Sequence, residues 1–171
     1  MHALQPGAAG EAWKALGGTV GYMSVEGYGI VCAFCAADGV RPESADVVVR
    51  LKNMGIHTTM LTGDNDDAAQ AIGRQVGLRP EEIKSKLLPE DKLRFVESLS
   101  EGNAKNSVIC NPFNKKKLTM VVGDGVNDAP ALAAADVGAA MGSGAALAME
   151  TSDVTLLDSN LEKIEYSILM G

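Results

Sequence analysis

The chain has 171 residues, 46% of them hydrophobic and only 4% aromatic, and carries a net charge of −7. That supplies one domain with a core of Ala, Val, Leu, Ile and Met, while the acidic balance sets aside a general nucleic-acid binder, which needs a basic face. No run of about 18 apolar residues is present to cross a bilayer, the first residues lack the basic-then-apolar order of a secretory signal, and three cysteines (Cys32, Cys35, Cys110) make no disulfide framework.

Residues 1–18 read as irregular or weakly helical. "GTVGYMSVEG" alternates loosely and ends at Gly27, as a hairpin arm does, and "YGIVCAFCAA" reads as a second, buried strand ending at Asp38. Cys32 and Cys35 form a C-x-x-C inside it, a spacing that a redox or metal site would also use; residues three apart on a strand point to opposite faces, so core cysteines are the expectation. "RPESADVVVRLKNMG" is a helix bracketed by Pro42 and Gly55, with Val47, Val48, Leu51 and Met54 on one face.

"IHTTML" is a short strand and "TGDN" the turn after it. "DDAAQAIGRQVG" is a helix with Ala68, Ile72 and Val76 in line and Gly77 closing it. "RPEEIKSKLL" is a connector with a short strand, and "PEDKLRFVESLS" a helix that starts at Pro89 with Glu90 and Asp91 in its first turn. Residues 100–118 lose apolar periodicity and read as a polar surface loop. "TMVV", "DVGAAM" and "VTLL" are strands. "APALAAA", the glycine-led "GSGAALAME" and "NLEKIEYSILM" are helices, the last capped by Ser159 or Asn160.

Alternating strand and helix predicts an α/β fold: a doubly wound, mostly parallel sheet with helices on both faces. Ligands of such sheets bind at the carboxyl ends of strands. "TGDN", "GDGVND" and Asp38 all fall there.

In "VVGDGVNDAPALAAAD" two glycines, Gly123 and Gly125, let the backbone bend and approach a ligand. Asp124 and Asp128 on that turn suit a hard cation such as Mg²⁺, and Asn127 adds a neutral donor and acceptor. Helix capping by Asp128 is the rival account, but it leaves Asp124 and both glycines unexplained. In "TGDN" the Thr62 hydroxyl, the Gly63 N–H and the following helix N-terminus suit a phosphate; the alternative is an ordinary turn capped by Asp64 or Asn65. Lys92 sits in the first turn of its helix, where a cation opposes the helix dipole. It is either solvated or faces the same mouth, balancing carboxylates and phosphate.

In this order, a threonine turn, a lysine and a di-acid glycine turn resemble the haloacid dehalogenase superfamily of phosphoryl-transfer enzymes. "MLTGDN", "LLPEDK" and "MVVGDGVNDAPALAAADVGAAMGSGAALAMETSDVTLL" resemble the phosphorylation domain of a P-type cation-transporting ATPase. The phrasing is most similar to zinc, cadmium and cobalt pumps, then copper and potassium pumps. The likeness runs from about residue 18 to 170, apart from the polar insert.

The resemblance implies that ATP phosphorylates an aspartate, that Mg²⁺ neutralises the phosphate, and that hydrolysis of the aspartyl-phosphate drives ion movement. On matching positions Asp124 and Asp128 would bind Mg²⁺. Thr62, Gly63 and Lys92 would hold the phosphoryl group, with Asp64 supporting the turn. Asn127 and Asp128 would complete the catalytic site with Lys92, and Asp38 with Arg41 would form a hinge motif. The partners implied are the nucleotide-binding and actuator domains, the membrane helices and the transported metal cation. The pump is placed in a membrane, with this portion soluble on the cytosolic or stromal face.

Residues 1–29 match at most the tail of a nucleotide-binding domain and 30–171 part of a phosphorylation domain. No D-K-T-G-T nucleophile segment occurs, so the isolated chain is expected not to form a phosphoenzyme. The insert "GNAKNSVICNPFNKKK" departs from the family and reads as a surface loop, a lineage-specific or unspliced stretch, or a basic patch at Lys115–Lys117. Two other readings stand beside this one. In the first, the chain is a stand-alone Mg²⁺-dependent phosphatase with Asp38 as nucleophile, although Val40 occupies the position where such enzymes carry a second acid. In the second, it is a non-catalytic Mg²⁺-binding fragment.

Overall fold

The computed structural model describes Trp13 and residues 18–36, 39–106, 118–123, 126–142, 149–158 and 160–170. The chain divides into two compact units, Met1–Lys86 and Leu87–Gly171.

The first unit opens with the expected hairpin, β1 (Thr19–Val25) pairing antiparallel with β2 (Gly29–Ala36). Its turn is closed by the Tyr28 N–H donating to the Val25 carbonyl at 3.0 Å. Gly27 sits there at φ 82°, a left-handed conformation that a side chain disfavours. The expectation of a buried strand with core cysteines is corrected: every residue of β2 is exposed, Cys32 and Cys35 included. A two-stranded ribbon has no second layer of its own, so alternation places Met23, Val31 and Phe34 on open faces.

Helix α1 (Ser44–Asn53) buries Val47 and Leu51, while its Val48 packs against Ala69, Val76, Leu78 and Ile83. Met54, expected on the same stripe, is exposed because it already lies at the C-cap. Then follow β3 (Met60–Leu61), α2 (Asp66–Gln75), a 3-10 turn at Pro80–Glu82 and β4 (Ile83–Lys84). β3 and β4 pair in parallel, Met60 opposite Ile83. The buried face of α2 is Ala69, Gly73 and Val76, one step round from the predicted Ala68 and Ile72. Ile83 sets that face, since its Cδ1 lies 2.2 Å from where a Cβ on Gly73 would stand. Ala69, Val76, Leu78 and Ile83 form the core, flanked by Val40, Val48 and Met60.

Glu82 fastens this unit from the side. Its Oε2 accepts from the Arg79 backbone N–H at 2.8 Å and from Lys52 Nζ at 2.7 Å, and its Oε1 takes the Arg79 guanidinium at 2.9 Å. The Arg79 N–H first, then Lys52, hold the carboxyl down to about 2 from an ordinary 4.5. A depressed pKa favours the folded state at high pH, so this contribution is complete above the ordinary value and is lost as pH falls towards about 2. Urea midpoints measured from about pH 6 to about pH 3 should therefore fall more steeply for the native chain than for Glu82→Gln. Parallel profiles would remove Glu82 from the acid response.

The second unit contains α3 (Pro89–Asn106), β5 (Met120–Gly123), a 3-10 turn at Val126–Asp128, α4 (Ala129–Ala134), β6 (Val137–Met141), β7 (Val154–Leu156) and α5 (Glu162–Met170). β5, β6 and β7 pair in that order, all parallel. The parallel ladders with intervening helices are the α/β arrangement that the alternation predicted. Asn160 caps α5, its side-chain oxygen accepting the Glu162 N–H at 2.8 Å.

One boundary moves. α3 runs through Asn106, so residues 100–106 are helix rather than the expected loop. Glu101, Ala104 and Lys105 are good helix formers and Gly102 is a single interruption. The remainder of the insert, with Cys110 and Lys115–Lys117, lies outside the described residues, as does most of the predicted "GSGAALAME" helix.

The alanine-rich run has a packing reason. Ala129, Ala131 and Leu132 of α4 and Ala139 and Ala140 of β6 are all buried, and small residues let helix and strand approach closely. A Cβ on Gly138 would stand 2.6 Å from the Leu132 carbonyl oxygen. Met141, Leu156 and Ile164 extend the core towards α5.

Candidate functional site

Of the residues assigned to the metal and catalytic corner, Lys92, Asn127 and Asp128 fall within the described part of the second unit, and Asp124 lies outside it. Of the hinge pair, Asp38 lies outside the described residues. Arg41 is half-buried just before α1, where its carbonyl accepts the Ser44 N–H at 3.0 Å.

In the second unit, Lys92 and Asp128 meet: Lys92 Nζ stands 2.8 Å from Asp128 Oδ1, and both side chains are largely buried, 16% and 21% exposed. The sequence left Lys92 either solvated or facing the carboxylates; it faces one. α3 positions it through a tight first turn, where the Leu88 carbonyl accepts from the Asp91 and Lys92 N–H groups and Asp91 Oδ2 accepts back from the Leu88 N–H at 3.1 Å. Asp128 occupies the N-cap position of α4 but makes no side-chain cap hydrogen bond. Capping therefore does not account for its carboxylate, which is turned to Lys92 instead.

Gly123 makes room for this arrangement. A Cβ there would lie 2.7 Å from Asp128 Cβ and 3.0 Å from Asp128 Oδ2. The glycine that the sequence assigned to close approach of a ligand is, in the structure, a cradle for the aspartate. Asn127 is exposed on the same 3-10 turn. The donors here, a carboxylate with one oxygen outside the lysine contact and an amide oxygen, are hard oxygens of the kind Mg²⁺ takes.

In the first unit, "TGDN" is a self-bonded turn at the end of β3. The Asp64 N–H donates to Thr62 Oγ1 at 3.1 Å, and the Thr62 hydroxyl donates to Asp64 Oδ2 at 2.8 Å. Asn65, not Asp64, caps α2, accepting the Ala68 N–H at 3.0 Å. Gly63 is exposed between them. Asp66 and Lys86, which sequence reasoning passed over, pair at 2.6 Å beside this turn. The Lys86 ammonium, and then the Ser85 hydroxyl, hold the Asp66 carboxyl below its usual range, and Asp66 in turn raises Lys86. Among the described residues no cluster of three or more His, Cys, Asp or Glu side chains gathers to hold a metal, and no helix is long and apolar enough to cross a membrane.

Parallel strands with intervening helices in both units place the chain in the α/β class. The haloacid dehalogenase-like hydrolase family matches residues 8–136, and the chain belongs to it.

Its relatives are heavy-metal pumps. It is 45% identical over 135 residues to a probable copper-importing P-type ATPase A of Enterococcus hirae, covering 79% of this chain and 17% of that protein. It is 45% identical over 144 residues to a probable cadmium-transporting ATPase of Listeria monocytogenes, covering 83% and 18%. A crystal structure of a zinc-transporting PIB-type ATPase superposes with a TM-score of 0.74 at 33% identity, over 95% of this chain and 24% of that one. The chain thus spans less than a fifth of the length of these two curated relatives and matches the phosphorylation-domain region of such pumps.

Proposed function

We propose that this chain supplies the Mg²⁺- and phosphoryl-binding half of the phosphorylation site of an ATP-driven heavy-metal pump. The observation that carries the reading is the sequestered Lys92–Asp128 pair in the cradle left by Gly123. A cation and an anion held side by side in a half-buried corner can divide two tasks, the ammonium facing a phosphoryl oxygen and the carboxylate facing a metal. Asp128, with Asn127 beside it on the 3-10 turn and Asp124 four residues earlier in the sequence, would hold Mg²⁺, which when bound neutralises phosphoryl charge. Thr62 and Gly63 would hold the phosphoryl oxygens, the Thr62 hydroxyl turning from Asp64 to the anion, with the N-terminus of α2 behind them. The soft or borderline heavy-metal ion would be the pump's cargo, and the nucleotide-binding, actuator and membrane domains its partners.

No residue of this chain stands in a D-K-T-G-T context, so the acceptor aspartate comes from another segment. Incubated with labelled ATP and Mg²⁺, the purified chain is expected to acquire no acid-stable phosphate. It is nevertheless expected to bind inorganic phosphate in the presence of Mg²⁺, and to lose that binding in Thr62→Ala. Stoichiometric labelling would return the reading to a self-sufficient phosphatase, and phosphate binding indifferent to Thr62→Ala would remove the turn from the site.

A further inference from the structure

The Thr62–Asn65 turn is gripped from across the β3–β4 ladder by a segment that the phosphoryl-binding roles do not use. The Thr62 N–H donates to the Lys84 carbonyl at 2.9 Å. Two residues on, the Lys86 N–H donates to the Asp64 carbonyl at 2.7 Å. Between them, the Ser85 hydroxyl donates to Asp66 Oδ1, and Lys86 Nζ reaches Asp66 Oδ2 at 2.6 Å. The backbone of Lys84 and Lys86 and the side chains of Ser85 and Lys86 thus bind the turn and the first residue of the helix behind it.

Lys86 does this at φ 55°, the only left-handed non-glycine residue among those described. A lysine is disfavoured in that conformation, and glycine would adopt it without strain. Its ion pair is exposed, 64% and 61%, and exposed pairs add little to stability. A strained backbone combined with a stability-poor ion pair is hard to explain as a device for folding. It is intelligible as a device for fixing geometry, because a left-handed residue is what turns the Lys86 N–H onto Asp64 and its side chain back onto Asp66.

We propose that Lys86, with Ser85 and Asp66, is a positioning clasp that sets the shape of the Thr62–Asn65 turn. For its chemical purpose the proposal rests on the reading of that turn as a phosphoryl holder. By fixing the Asp64 carbonyl and the start of α2, the clasp holds the Thr62 hydroxyl and the Gly63 N–H at a set separation before any anion arrives. Preorganisation of that kind is what a phosphate-binding turn needs.

The test compares Lys86→Gly, Lys86→Arg and Asp66→Asn in the full chain. Lys86→Gly relieves the backbone strain while removing the ammonium, so its urea midpoint is expected to equal or exceed the native one. Its Asp64 and Ala68 amides are nonetheless expected to exchange with solvent several-fold faster, and Asp66→Asn should do the same. Lys86→Arg should restore native exchange, and about 1 M salt should loosen the native turn towards the Lys86→Gly value. Inorganic phosphate, the probe used with Mg²⁺, should bind about fivefold more weakly to Lys86→Gly than to the native chain. Native exchange of the turn in both Lys86→Gly and Asp66→Asn overturns the clasp, whatever phosphate does. Faster exchange reversed by arginine, in a chain that binds no phosphate even in native form, upholds the clasp and removes the phosphoryl reading instead.

Discussion

Replacing Lys92 by methionine is expected to move two affinities in opposite directions. Methionine keeps the length and the apolar stem of the side chain, so the corner stays filled while the ammonium is lost. Asp128 Oδ1, 2.8 Å from Lys92 Nζ in the native chain, is then released to a metal, and a competing positive charge is gone. Mg²⁺ should bind about five- to tenfold more tightly, the equivalent of about 1 kcal/mol. Phosphate, having lost the cation proposed to face it, should bind at least about tenfold more weakly, as charge-assisted hydrogen bonds carry about 1.5–3 kcal/mol.

Asp128→Asn should do the reverse. On the proposed division of tasks it removes the carboxylate that would face the metal and frees Lys92 for the anion. Titrations of both variants with Mg²⁺ alone and with phosphate, at one ionic strength, give the four numbers required. A corner that is only structural predicts that both variants weaken both ligands alike, and that pattern would dispose of the division of tasks.

Much of the local structure was legible in the sequence because its devices are local. Alternating strands and helices, Pro89 at a helix start, Asn65 and Asn160 at caps and glycines around Asp124 are all read over a few residues. What stayed hidden depends on partners far along the chain. Whether Lys92 was solvated or engaged turned on a residue 36 positions away. That Gly123 serves Asp128 needs the turn's geometry, since the glycine spacing alone pointed to a ligand. Lys86 carries no turn signature, and its partners Asp64 and Asp66 lie across the ladder. The apolar run of β2 was misjudged for a related reason. Composition says that a face can be buried, but not that a second layer is present to bury it, and Cys32 and Cys35 are exposed.

Whether the opposing atom belongs to backbone or side chain governs the response of two glycines, one in each unit. Gly138→Ala would drive a Cβ to 2.6 Å from the Leu132 carbonyl oxygen and 3.1 Å from its carbonyl carbon. Those are backbone atoms of α4, with Leu132 itself 1% exposed and unable to retreat. The helix must lift from β6, and a loss of about 3 kcal/mol or more is expected, at the upper end of overpacking effects. Trimming the Leu132 side chain should give no relief, because the opposing atom is not in the side chain.

Gly73→Ala meets a different obstacle, Ile83 Cδ1 at 2.2 Å and Cγ1 at 2.8 Å, the mobile end of a side chain. Alanine also gains about 1 kcal/mol of helix propensity at this interior position. The net loss should be smaller, about 1 kcal/mol, and Ile83→Val, which deletes Cδ1, should recover part of it. The double variant Gly73→Ala, Ile83→Val is therefore expected to be more stable than the sum of the single changes by about 1 kcal/mol. Urea unfolding of the four single variants and the two doubles measures both couplings. Rescue of Gly138→Ala by Leu132→Ala, or simple additivity at Gly73 and Ile83, would show that the contacts assigned to backbone and side chain had been interchanged.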